Sequence, residues 1–162
     1  MIKKTGLFLS FSILFLLYSC SNQSAYEFSH DFSGENWQKF DTLKFIANIN
    51  DGKSEYHILI GFDYSGTKAP TNVPLGLTII SPSGSERYIA KKIWLKTLEG
   101  VPKGIKSETM YSLYAPLLRQ VYFNESGSYN ILIDNQSDKY DTQGVSRLTL
   151  KILSGKFEEK PL

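Results

Sequence analysis

From Leu43 onward the apolar residues of this chain recur at every second position, and that period decides what it can fold into. Successive side chains of an extended strand point to opposite faces, so strict alternation marks strands buried on one side. Leu43, Phe45, Ala47 and Ile49 share one face of a first run, and Tyr56, Ile58, Ile60 and Phe62 share one face of a second. Leu75, Leu77 and Ile79 follow, ending at the turn-forming Ser81-Pro82-Ser83-Gly84. Ile89, Ile93 and Leu95 form a strand opening after Glu86, with Trp94 on its opposite face. Val121 and Phe123 lead into Glu125-Ser126-Gly127; Tyr129, Ile131 and Ile133 come next, and Leu148, Leu150 and Ile152 close the set. Asp51-Gly52 between the first two runs predicts a hairpin. A short helix is expected around residues 108–118, interrupted by Pro116. Short alternating runs separated by Gly, Pro, Asn and Asp predict an all-β fold: a single antiparallel β-sandwich or jelly-roll-like domain of about seven or eight strands, with a closed barrel as the alternative.

The first twenty residues have a different character. Lys3 and Lys4 precede an apolar run over residues 7–18 that ends in Ser19-Cys20. About twelve residues are too few for the ~20 a bilayer-spanning helix needs, so residues 1–19 read as a signal peptide. Leu17-Tyr18-Ser19-Cys20 resembles a bacterial lipobox, which implies that Cys20 is lipidated, with palmitate among its acyl chains, and becomes the new N-terminus. The alternative is an ordinary secretory signal with a chance cysteine. Cys20 is the only cysteine in the 162 residues, so no disulfide framework is available. Ser21-Asn22-Gln23-Ser24 carries no acidic residue; by resemblance to Gram-negative sorting signals this implies the outer membrane, with the domain facing the periplasm. Residues 20–35 show no alternation and are expected to tether a domain spanning residues 36–162.

Removing Lys3 and Lys4 from the 18 basic residues leaves 16 against 16 acidic ones, and a neutral mature chain gives no electrostatic case for nucleic acid. No metal site is expected. The two histidines, His30 and His57, lie far apart, and His57 falls on the polar face of its strand. Asp134, Asn135, Asp138 and Asp141 crowd one loop with oxygen ligands, but Lys139 and Val145 occupy positions where a calcium loop of the EF-hand type needs Gly and Glu; a solvated turn is expected. Gly100-Val101-Pro102-Lys103-Gly104-Ile105-Lys106-Ser107 resembles a phosphate loop only superficially, since its spacing is wrong and its proline lacks an amide donor. No nucleophile-elbow pattern occurs, so no catalytic residue, enzyme activity or cofactor is assigned. Sugar binding on exposed aromatics is the strongest alternative, with Trp37, Trp94, Tyr88 and Tyr111 as candidates. Residues 98–112 form the longest stretch without alternation and are the expected functional loop.

In order and spacing the chain resembles the GldH family of gliding-motility lipoproteins of Bacteroidota. The resemblance rests on Cys20, on Trp37-Gln38-Lys39-Phe40-Asp41-Thr42-Leu43-Lys44-Phe45, on Asp51 with Tyr56, and on Asn72 through Ile79 with Pro82-Ser83-Gly84. It continues through Phe123, Gly127, Tyr129, Ile131 and Ile133 to Gly144-Val145 and Leu148-Thr149-Leu150-Lys151-Ile152. It implies a non-catalytic accessory or scaffold component of the gliding machinery or its associated envelope secretion, anchored to the membrane by lipid and working with other envelope proteins. It names no partner-binding residue. A glycan-binding lipoprotein of a polysaccharide-uptake system is the alternative.

Overall fold

The computed structural model describes residues 24–155, which form eleven strands and one 3-10 turn at Ser33–Glu35. The strands are β1 (Ser24–Asp31), β2 (Asn36–Gln38), β3 (Thr42–Ile49), β4 (Glu55–Ser65), β5 (Asn72–Ile80), β6 (Glu86–Trp94), β7 (Ile105–Ser107), β8 (Met110–Tyr122), β9 (Gly127–Asn135), β10 (Asp141–Gln143) and β11 (Val145–Ser154). One sheet has the order β1-β11-β4-β8-β7 and the other β3-β9-β5-β6; β10 and β2 form a separate pair. Every pairing is antiparallel. This is the sandwich that the alternation predicts. The edge strands β1 and β3 do not pair, and a groove of about 510 Å³ runs between them, so the two sheets do not join there as a closed barrel would require.

Seven strands coincide with the seven alternating runs, and their apolar faces make the core. Leu43, Phe45, Ala47 and Ile49 are buried against Ile58, Ile60, Phe62, Leu75, Leu77, Ile131, Ile133, Leu148, Leu150 and Ile152. Three of the four additional strands have only three residues each, too short to show a period. The fourth, β1, corrects the expected tether. Residues 24–31 lie in register with β11, from Ser24 against Leu153 to Asp31 against Arg147. Their alternation reads Tyr26, Phe28, His30, with the Phe45 ring packed at a tilt against Phe28 at 5.6 Å, a half-aromatic pattern that aliphatic periodicity does not reveal. The folded domain therefore includes residues 24–31 and does not start at residue 36.

Asp51-Gly52 is a turn, but not a hairpin. β3 pairs only with β9, whereas β4 pairs with β11 and β8, so this connection crosses from one sheet to the other. The buried faces of β3 and β4 meet across the core instead of lying side by side. Gly52 is required at the crossing, because a Cβ there would stand 2.2 Å from the Phe123 carbonyl oxygen. The expected helix over residues 108–118 is also corrected: they lie mainly in β8, with Pro116 opposite Leu59 where the ladder shifts register. A proline without an amide hydrogen fits a bulged ladder better than a regular one.

The same irregularity overturns the solvated reading of His57, which is only 4% exposed. Tyr56 pairs with Val121 and Ile58 with Leu118, leaving Arg119 and Gln120 opposite the single His57. The bulge, with Gln120 at φ 53°, turns the Gln120 N–H to His57 Nδ1 at 3.4 Å, while Nε2 lies 3.0 Å from Glu55 Oε1.

Candidate functional site: a cleft at the end of the sandwich

Strand direction gives the sandwich two distinct ends. Ser24 opens β1 at one end, beside the 50–54 crossing, the 81–85 hairpin turn and the 123–127 connection. At the opposite, distal end lie residues 66–71, 95–104 and 136–144 together with the β2–β10 pair. Cys20, the lipidation candidate, lies outside the described residues, but only three residues separate it from Ser24. Even fully extended, the chain between them spans at most about 14 Å.

The distal loops are pinned from below by buried polar groups. Tyr64 is fully buried on β4; its hydroxyl oxygen accepts the Lys103 N–H at 2.9 Å and lies 2.6 Å from the Lys103 carbonyl oxygen and 2.5 Å from that of Leu95. Burial pushes its phenol pKa up. Buried Asn135 ends β9 in a similar way: its Nδ2 donates to the Trp37 carbonyl and to Thr142 Oγ1, both at 2.9 Å, and its Oδ1 accepts the Ser137 N–H at 3.0 Å. Gly144 brings the 143–145 backbone against the 68–69 loop at φ 78°; a Cβ there would stand 2.4 Å from the Ala69 nitrogen.

These constraints shape a cleft of about 540 Å³. Its sides are Lys68, Pro70, Asn72 and Pro74 on one hand and residues 137–143 on the other. Tyr140 on the 137–143 side is 61% exposed and packs edge-on against Phe40 at 6.0 Å. Asp141 lines the cleft, and its Oδ1 is shielded from solvent without a hydrogen-bond partner; the same holds for Oδ1 of Asn36, which is registered against Gln143. Lys68 Nζ pairs with Glu35 at 3.2 Å. Asn72 is registered against Trp94, and because registered partners point to one face of a sheet, Trp94 stands beside Asn72 on the outer face, 40% exposed.

The candidates named from sequence are distributed unevenly around this cleft. Trp37 is wholly buried, stacked on Phe32 at 5.4 Å with its Nε1 donating to the Asp41 carbonyl at 3.2 Å, and is no sugar platform. Tyr111 is half-buried against Tyr64, whereas Tyr88 and Trp94 are exposed on β6. The four oxygen-bearing residues of the acidic loop do not converge. Asp134 accepts from Thr42 Oγ1 at 2.6 Å on the sheet surface, Asn135 points inward, and Asp138 and Asp141 line the cleft. Among the described residues no group of three His, Cys, Asp or Glu side chains could hold a metal ion. The amides of the glycine-bearing loop are committed locally: Gly100 N–H to the Thr97 carbonyl at 3.1 Å, Val101 N–H to Thr97 Oγ1 at 3.3 Å and Lys103 N–H to the Leu95 carbonyl at 2.8 Å. The expected 98–112 loop is shorter than the alternation implies, since β7 and the start of β8 lie within it. The cleft itself was missed; its one sequence signal is Tyr140 set between Asp138 and Asp141.

Fold and cleft together define an antiparallel β-sandwich domain with a polar, aromatic-rimmed hollow at one end. The family model for GldH lipoproteins matches residues 24–152, and the chain belongs to that family. No curated protein matches it. Among solved structures it is similar to TmCBM61 in complex with beta-1,4-galactotriose (11% identity over 74% of this chain and 69% of that one, TM-score 0.34). It is also similar to a protein from Sulfurospirillum deleyianum (14% identity, 82% and 99%, TM-score 0.41) and to the VP2 subviral particle of infectious bursal disease virus (13% identity, 82% and 29%, TM-score 0.34).

Proposed function

We propose that this GldH-family protein is a non-catalytic accessory or scaffold component of gliding-motility or associated envelope secretion machinery. In this reading Cys20 carries the lipid that anchors it to the outer membrane, and the domain faces the periplasm. Several acyl chains at about 0.8 kcal/mol per buried methylene make such an anchor stable. The short link from Cys20 to Ser24 holds the proximal end of the sandwich close to the bilayer and directs the distal end away from it.

The observation that carries the scaffold reading is where the exposed apolar side chains sit. Of the ten large hydrophobic residues exposed among those described, six are at the distal end: Phe40, Trp94, Leu98, Val101, Ile105 and Tyr140. Leu98 is 84% exposed. Apolar side chains gathered at one end of a soluble domain mark a contact surface, and aromatic residues are enriched in such surfaces. The test is cross-linking in intact cells, affinity purification of the lipidated protein and mass spectrometry. Recovery of motility or secretion-machinery proteins is expected. Recovery of nothing specific, or of a polysaccharide-uptake complex, overturns the scaffold role.

A further inference from the structure

We infer that the distal cleft is a binding site for an uncharged oligosaccharide, an activity distinct from the scaffold role although it shares Trp94 and Tyr140 with that surface. Three features of the cleft point to that class of ligand. Its charges balance: Lys68 and Lys139 face Asp138 and Asp141, so neither a polyanion nor a polycation is favoured, and Lys68 is already paired with Glu35. Its polar inventory is matched to hydroxyl groups, which donate and accept together. Asn72 and Gln143 bring amides that donate and accept, and Asp138 brings carboxylate acceptors.

The third feature is apolar. Tyr140, Pro70 and Pro74 line the cleft, Tyr140 with an exposed ring, and Trp94 stands exposed beside the lining residue Asn72. A pyranose has an apolar C–H face and a hydroxylated edge, and flat rings flanking polar groups suit both. The volume of about 540 Å³ lies within the range of small-ligand clefts. The site is preorganised, because Asn135 fixes the 137–142 loop from beneath and Gly144 fixes the opposite wall; little ordering remains to oppose binding. It also lies at the end of the domain remote from Ser24, where a glycan has access.

The glycan could come from the cell-wall polymer or from a neutral polysaccharide, and the experiment separates the two. The mature full-length protein in detergent is titrated with an N-acetylglucosamine tetramer and with neutral hexose tetramers, following tryptophan fluorescence. The chain has two tryptophans; Trp37 is buried, and Trp94, exposed beside the cleft residue Asn72, is the one positioned to report a ligand. A saturable change with either probe is expected, and the responding probe identifies the source. Calorimetry on Tyr140→Ala, at an exposed position, and on Asp141→Ala is expected to show affinity falling by about tenfold each. No binding of any tetramer at millimolar concentration overturns the inference, as does binding that both variants retain undiminished while their circular dichroism matches the parent.

Discussion

Lys103 is tied to Tyr64: the backbone N–H of the first, in an exposed loop, donates at 2.9 Å to the hydroxyl of the second, buried in the middle of the sandwich end. The same hydroxyl lies within hydrogen-bonding reach of the Leu95 and Lys103 carbonyls, so one phenol holds both stems of the 95–103 loop. Tyr64→Phe keeps the ring and removes the tie. Chemical denaturation is expected to show a loss of about 1–2 kcal/mol, the usual cost of stranding buried partners. Hydrogen exchange should rise at residues 95–103 and stay level in β9 and β11.

Gly144 gives the strongest backbone prediction. It combines φ 78° with a position where a Cβ would meet the Ala69 nitrogen at 2.4 Å, and it bonds on both sides, its N–H to the Glu35 carbonyl and its carbonyl to the Ser65 N–H, each at 2.7 Å. Gly144→Ala is expected to destabilise the domain by roughly 2–4 kcal/mol, through left-handed strain and backbone displacement. Gly34, also at positive φ but with open space around it, is the control: Gly34→Ala carries only the conformational cost of about 1 kcal/mol.

Acid stability follows from surface carboxylates held below their ordinary pKa. The Ser83 and Ser81 hydroxyls lower Glu125, the Ser54 hydroxyl and the Lys53 N–H lower Asp51, and the Arg147 guanidinium lowers Asp31. Unfolded, each group takes up its proton at a higher pH than it does folded. Stability therefore rises with pH across roughly pH 2 to 5 and is lost as pH falls through the lowered values. Thermal melts of Glu125→Gln should show a shallower acid limb than the parent, since the Ser83 Oγ to Glu125 Oε1 bond at 2.6 Å between two turns no longer depends on ionisation.

Cys20→Ala is expected to move the protein from the membrane fraction to the soluble fraction of the cell envelope. Retention in the membrane would assign the anchor to something other than the lipid. The variant should keep the melting temperature of the parent domain, because every strand described lies at or after Ser24.

The sequence was a good guide wherever a residue's position depends only on the face of a strand. Every residue of the runs in β3, β9 and β11 that alternation assigned inward is buried, including Tyr129. It was a poor guide where the outcome depends on which strand lies beside which. Asp51-Gly52 has the chemistry of a hairpin turn, and only the pairing of β3 with β9 makes it a crossing. His57 obeys the alternation, yet it is buried because Arg119 and Gln120 bulge opposite it, a register fact that period cannot carry. Trp37 looked like a possible platform because it lies in a three-residue strand too short to show which way it faces. The cleft was hidden for a related reason: its walls come from residues 68–74 and 137–143, which only the sheet order brings together.

The central claim is that the distal end is the working surface of a membrane-held domain. A photoreactive amino acid at Val101, exposed at the distal end, and another at Lys53, exposed at the proximal end, test it in intact cells. Val101 is expected to capture motility or secretion-machinery proteins that Lys53 does not. Capture of those proteins from Lys53 alone, or the absence of any specific product from Val101, would contradict the account.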